Sequence, residues 1–242
     1  MPIITFQNNK YMFDNGIFNL QYFDSGDLHG NDNFRTQVKT LSVYDVLQQI
    51  DVTLWQSALA VVLDGKLMPL TTKLEKDYIL DIITLNNPTG KIIYHHSLAY
   101  LIAQTIYTYN NNIQLISLSV SETKCILQFK FDFNNNLIVS VIKNMLPQIA
   151  VNNAAIQIID AFQKEMLVNT YSSLSQPYAK TILDEYDDHD FITVAVRNHF
   201  ALPIPKGAMI ATNPKLITNY TLEHVITENI CTITGQLTNT LI

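Results

Sequence analysis

The pair Asp64-Gly65, which closes the apolar run Ala58–Leu63 and is followed by Lys66–Leu70, constrains this chain more than any other feature. Asp-Gly supplies the left-handed backbone positions of a tight hairpin, so two antiparallel strands are expected to meet there. The polar stretch Lys73-Leu74-Glu75-Lys76-Asp77 then leads to Tyr78–Thr84, which reads as a further strand. Ahead of the hairpin, Ser42 stands where an N-cap belongs and Asp45 follows as a capping-box variant. Val43, Val46, Leu47 and Ile50 form one helical face behind them. Ile4-Thr5-Phe6 and Tyr11-Met12-Phe13, separated by Gln7-Asn8-Asn9-Lys10, read as an opening hairpin. Between hairpin and helix, residues 14–40 carry Asp14-Asn15-Gly16, Asp24-Ser25-Gly26-Asp27 and Gly30-Asn31-Asp32-Asn33, the composition of an irregular insertion. Up to the second hairpin the order is β-β-α-β-β, and the strand Tyr78–Thr84 follows.

Asn86-Asn87-Pro88-Thr89-Gly90 interrupts two apolar segments and is the expected linker, dividing the chain into residues 1–86 and 91–242. Beyond it, His95–Tyr109 places Leu98, Leu101, Ile102, Ile106 and Tyr109 at helical spacing. Ile113–Val120 and Lys124–Phe133 read as strands, Leu137–Leu146 and Ala154–Leu167 as helices, and Phe191–Val196 and the last thirty residues as strands again. The expected class is α+β, with a two-layer α+β arrangement in the second unit.

Composition limits what such a chain can do. A formal charge of −6 with 15 Lys and Arg argues against a large phosphate-tracking surface of its own. Cys125 and Cys231 are isolated among apolar neighbours, which suits buried thiols in a reducing cytoplasm and offers no metal spacing. Met1–Phe6 lacks the basic and apolar regions of a signal peptide, and no stretch reaches the length of a membrane span, so a cytoplasmic protein is expected.

Three segments carry a resemblance. Ser42-Val43-Tyr44-Asp45-Val46-Leu47, Ala60–Leu70 and Tyr78–Thr84 resemble the helix, hairpin and closing strand of the TGS domain, a ubiquitin-like β-grasp module. The continuation Gly90-Lys91-Ile92-Ile93-Tyr94-His95-His96-Ser97-Leu98-Ala99-Tyr100-Leu101-Ile102 is similar to the start of the editing domain in threonyl-tRNA synthetases. Pro177-Tyr178-Ala179-Lys180 looks like a further stretch of that domain. The resemblance implies a TGS-like domain over 1–86 and an editing-like domain over 91–242. Its implied partners are the acceptor arm of tRNA(Thr) and the remaining synthetase domains, with no cofactor. Within these residues no Gly-rich phosphate loop and no arginine-bearing class II signature occurs.

In that family the editing pocket hydrolyses seryl-tRNA(Thr) with a helical His-x-x-x-His, a later Cys-x-x-x-His and a lysine, which together position water and stabilise an oxyanion. His96 matches the first histidine, but one turn on stands Tyr100, a phenol whose ordinary pKa near ~10 makes it no base at neutral pH. The cysteine and last histidine fall either on Ala195 and His199 or on Ile204 and Ala208, so the thiol is missing in both registers. The lysine falls on Ala179, with Lys180 displaced by one. His96 is therefore open to two readings, a polar contact at a helix start or a catalytic remnant. His95 reads as a surface or core residue, and Tyr186-Asp187-Asp188-His189-Asp190 as a solvated loop rather than a metal site.

Three functions remain in view: an accessory region of a threonyl-tRNA synthetase with editing lost, a free-standing binding or regulatory module derived from it, and a deacylase rebuilt from His96, Tyr100, Lys180 and His199. The last requires those four side chains to line one pocket.

Overall fold

The protein is described by a computed structural model covering residues 3–6, 9–12, 41–50, 52–131, 138–151, 155–162, 178, 182, 184–185, 192–198 and 200–238. The insertion expected at 14–40 and the acidic run 186–190 lie outside the described residues, as do Ala179, Lys180 and His199. The chain divides into two compact units, Met1–Ile82 and Ile83–Ile242. Both are α+β.

Among the described residues, unit 1 has five strands in the order β2-β1-β5-β3-β4. β1 (Ile3–Phe6) pairs antiparallel with β2 (Asn9–Met12) and parallel with β5 (Tyr78–Ile83), while β3 (Ala60–Leu63) and β4 (Lys66–Met68) form the second hairpin. Asp64 and Gly65 both adopt positive φ (49° and 81°), as the dipeptide requires. Asp64 also ties the hairpin to β5: its Oδ1 accepts from the Ile79 backbone N–H at 2.9 Å and its Oδ2 from Lys76 Nζ at 3.2 Å. The Ile79 hydrogen bond holds the Asp64 carboxyl below its usual pKa.

α1 (Val43–Ile50) begins at the expected capping box, closed in both directions. Ser42 N–H donates to Asp45 Oδ2 at 3.0 Å, and Asp45 N–H donates to Ser42 Oγ at 3.3 Å. Its buried face, Val43, Val46 and Leu47, meets Ala58, Val61, Leu63, Leu70, Leu74 and Leu80 in one core. A second short helix, α2 (Val52–Ser57), goes beyond the expected pattern; its Trp55 ring stands edge-on to Tyr44 at 5.4 Å. Six residues offer too short a window for helical periodicity to be seen.

Unit 2 is organised around α3 (Pro88–Tyr109). A four-stranded antiparallel sheet, in the order β11-β12-β7-β6, comprises β6 (Gln114–Val120), β7 (Cys125–Lys130), β11 (Tyr220–Thr227) and β12 (Ile230–Leu237). A second antiparallel sheet, in the order β10-β9-β8, comprises β8 (Gln157–Phe162), β9 (Ile192–Arg197) and β10 (Phe200–Pro203). α3 packs against β6, β7 and β12 and also against β10 and α4 (Ile138–Val151). Covered on both sides, it departs from a simple two-layer stack.

Three local expectations are corrected. Pro88, Thr89 and Gly90 are the first turn of α3 rather than linker, because proline suits a first helical position where its missing N–H costs nothing. Residues 157–162 form a strand rather than a helix. The β-branched Ile158 and Ile159 tolerate extended backbone, and β9 supplies the ladder, pairing Ile158 with Ala195 and Ile159 with Val194. α4 runs through Pro147 to Val151, held by the buried Leu146 and Ala150 on either side of the proline.

Gly90 and Gly235 mark the closest approaches. A Cβ on Gly90 would lie 1.8 Å from the Thr84 carbonyl oxygen. One on Gly235 would meet Leu98 Cδ2 at 2.9 Å, Cys125 Sγ at 3.0 Å and Ile102 Cδ1 at 3.3 Å, so this glycine lets α3 lie directly on β12.

Candidate functional site

Residues four apart on a helix share a face, and His96, Tyr100 and Gln104 follow one another in this way along α3. Tyr100 and Gln104 face the hairpin β9–β10, whose turn opens at Asn198 with φ 48°. Tyr100 donates its phenolic O–H to the Phe200 carbonyl at 3.2 Å, with the two rings 5.3 Å apart. Gln104 donates Nε2 to the Arg197 carbonyl at 3.0 Å and accepts from Arg197 Nη1 at 3.1 Å. Arg197 Nη2 continues to the Ile149 carbonyl near the end of α4 at 2.6 Å. This buried seam joins α3, β9, β10 and α4 through polar groups that would be costly to leave unmatched.

The electrostatics suit structure better than acid–base work. Burial holds the Tyr100 phenol well above its ordinary pKa, against a smaller downward pull from Arg197. Burial also lowers the Arg197 pKa from its usual value. His96 is half-buried, and desolvation, with a smaller contribution from His95, drops its pKa to about 4. Its imidazole is neutral at physiological pH.

His95 is a core residue with both nitrogens engaged. Nδ1 lies 2.8 Å from the Lys91 carbonyl, which can only accept, so that nitrogen carries the proton. Nε2 then accepts from the Leu237 backbone N–H at 3.3 Å, fastening the end of β12 to α3. Ser97 accepts from the Ala211 N–H at 2.9 Å, and Tyr94 donates to the Thr218 carbonyl. The polar side chains of α3 thus fasten loops and strand ends around the helix.

Of the four side chains required by a rebuilt hydrolase, only His96 and Tyr100 fall among the described residues. Ala195 is wholly buried in β9, and Ile204 is buried with its N–H donating to the Thr193 carbonyl at 2.9 Å. Neither offers a nucleophile. Cys125 and Cys231 are buried free thiols, pushed up by desolvation to about 12 and about 11. Among the described residues no group of His, Cys, Asp and Glu could hold a metal ion, and no helix is long and apolar enough to cross a membrane. Sequence reasoning missed Gln104 and Arg197. The available signal was the continuation of the 96–100 spacing to Gln104.

The described part of unit 2 is therefore an α+β domain whose central helix carries a buried polar seam that includes one position, Tyr100, expected to hold a hydrolytic group. Its relatives are threonine–tRNA ligases. That of Clostridium botulinum (strain Okra / Type B1) is 23% identical over 161 residues, 66% of this chain and 25% of that protein. That of Wolbachia sp. subsp. Brugia malayi (strain TRS) is 24% identical over 159 residues, 65% of this chain and 24% of that protein. The ligase of Clostridium kluyveri (strain ATCC 8527 / DSM 555 / NBRC 12016 / NCIMB 10680 / K1) is 35% identical over 68 residues, 28% of this chain and 11% of that protein. No protein-family model matches. The chain is thus a distant relative of part of threonyl-tRNA synthetase and spans about a quarter or less of the length of these ligases.

Proposed function

We propose that this chain serves as an accessory region of a threonyl-tRNA synthetase, supporting tRNA(Thr) acceptor-arm binding without hydrolysing seryl-tRNA(Thr). Residues 1–86 act as a TGS-like β-grasp domain. The order β2-β1-β5-β3-β4, with β1 parallel to β5 and α1 between two hairpins, supports that reading. Residues 91–242 act as a degenerate editing domain in the cytoplasm, without cofactor.

The observation that carries the loss of editing is the bond between Tyr100 and the Phe200 carbonyl. Where the resemblance calls for a histidine able to orient water, a phenol is committed to backbone and kept protonated by burial. His96, with a pKa of about 4, is a weak base without that partner.

The test is deacylation of seryl-tRNA(Thr) by the purified chain, beside a His96→Ala variant and threonyl-tRNA(Thr). Rates equal to buffer are expected throughout, with tRNA(Thr) still bound at low salt. Hydrolysis selective for the seryl ester and abolished by His96→Ala would replace this reading with a rebuilt deacylase.

A further inference from the structure

The sheet β11-β12-β7-β6 has two outer edges, and they are not alike. β6 carries a bulge between Leu115 and Ser117, one of the devices that keep an edge from pairing with another chain. β11 pairs with β12 along the whole of Tyr220–Thr227 without a bulge. Its sequence, Tyr220-Thr221-Leu222-Glu223-His224-Val225-Ile226-Thr227, holds no proline and no lysine, and Val225 is 64% exposed. Among the described residues no strand covers its outer side.

Hydrogen bonding decides what that edge offers. The turn Glu228-Asn229 joins Thr227 directly to its partner Ile230, and at the other end the Asn219 carbonyl accepts from the Thr238 N–H. Odd-numbered residues of β11 therefore bond to β12, and the N–H and C=O groups of Tyr220, Leu222, His224 and Ile226 point outward. The side chains of these four share the sheet face on which Gly235, opposite Leu222, lies against α3. Glu223 and Val225 lie on the other face.

We infer that β11 is a docking edge for β11 of a second copy of this chain, antiparallel and with His224 opposite its own counterpart. A two-fold axis normal to the sheet keeps every side chain on its own face, so opposed residues are both odd or both even in number. Two such registers oppose the longest stretch of β11: residues 220–226 centred on Glu223, or 221–227 centred on His224. The first sets two carboxylates directly against each other, which destabilises a ladder. The second sets imidazole against imidazole, Leu222 against Ile226 and Glu223 against Val225, with no carboxylate opposing another. It also places the incoming Ile226 on the side of the groove between α4 and β11, whose apolar wall includes Pro147, Leu222 and the 62% exposed Val151. A strand of unrelated sequence would meet the main chain equally well; β11 also matches its own side chains. The inference does not depend on tRNA binding.

Sedimentation of the full chain over a micromolar range, at mildly alkaline pH, is expected to show a monomer–dimer equilibrium. His224→Pro removes only an outward N–H, a change that edge strands tolerate, and should weaken the dimer about tenfold or more. Val225→Lys sets an ammonium opposite each Glu223 and should tighten the dimer about two- to tenfold, whereas an unspecific apolar contact would be loosened. His224→Cys should cross-link two chains under mild oxidation, because bonded antiparallel pairs hold their Cα atoms about 5.5 Å apart, within disulfide reach. Cys125 and Cys231 are buried and stay out of that reaction.

A monomer at every concentration overturns the inference, as does a dimer that His224→Pro leaves intact. A dimer not tightened by Val225→Lys, or a His224→Cys chain that stays uncross-linked, overturns the register and with it the docking of β11 on itself. If His224→Pro does not fold, the lysine and cysteine variants, both at exposed positions, still decide.

Discussion

Gln104 and Arg197, 93 residues apart in the chain, hold each other twice. The amide donates to the arginine's carbonyl, and the guanidinium donates back to the amide oxygen. A buried guanidinium stays where it is only while its donors are met.

Gln104→Ala should therefore destabilise unit 2 by roughly 2–3 kcal/mol, since it withdraws an acceptor from a buried charge and a donor from a buried carbonyl. Arg197→Met should cost less, because the charge leaves with its hydrogen bonds. The single tryptophan, Trp55, lies in unit 1, so urea unfolding of unit 2 is best followed by near-ultraviolet tyrosine dichroism. Equal midpoints for the two variants would count against the seam as a stabilising element.

Gly90→Ala should lower stability even though alanine is the better helix former by about 1 kcal/mol. The new Cβ has no room against the Thr84 carbonyl, which belongs to backbone and cannot swing away. The Thr84 and Asn87 pair fixes that turn: Thr84 N–H donates to Asn87 Oδ1 at 3.0 Å, and Asn87 N–H donates to the Thr84 carbonyl at 3.1 Å. A melting temperature at or above wild type would refute the clash.

Stability should fall as pH drops below about 6.5, the unfolded pKa of histidine. Burial lowers the folded-state pKa of both His95 and His96, the latter to about 4. Above pH 6.5 both imidazoles are neutral in either state and carry no penalty; below it the unfolded chain takes up protons that the folded chain refuses. The His96 contribution is lost between pH 6.5 and about 4 and amounts to at most roughly 3 kcal/mol. His96→Asn should flatten the pH dependence of the urea midpoint over that range. An unchanged slope would mean that His96 titrates normally.

Tyr100→His recreates the helical pair of histidines yet should not restore hydrolysis, because Ala195 and Ile204 offer no thiol in either register. The variant should also lose about 1 kcal/mol or more through the unmatched Phe200 carbonyl. Deacylation of seryl-tRNA(Thr) above buffer rates by this variant would show that the pair alone suffices.

The parts of the fold that were legible are those where one residue type has one geometric use. Asp64-Gly65 and the Ser42–Asp45 box announced a hairpin and a helix start because their side chains or backbone preferences act locally. Residues 157–162 were misread because apolar spacing alone does not separate a buried strand from a helix, and the deciding partner, β9, lies more than thirty residues away. The site was legible as a substitution: Tyr100 stood out where a base was expected. Its use was not, because the carbonyl it meets belongs to Phe200, a pairing set by tertiary approach rather than by any spacing on α3.

The enclosure of α3 also sets a clock. A helix with 14 buried residues and packed strands on both sides offers water no frayed flank from which to enter its central turns. Amide hydrogens from Leu98 to Ile106 should exchange only when the whole of unit 2 opens, making this stretch the slowest-exchanging in that unit. The segment that bears the chemical remnant is then the part of unit 2 with the least freedom to rearrange around a substrate.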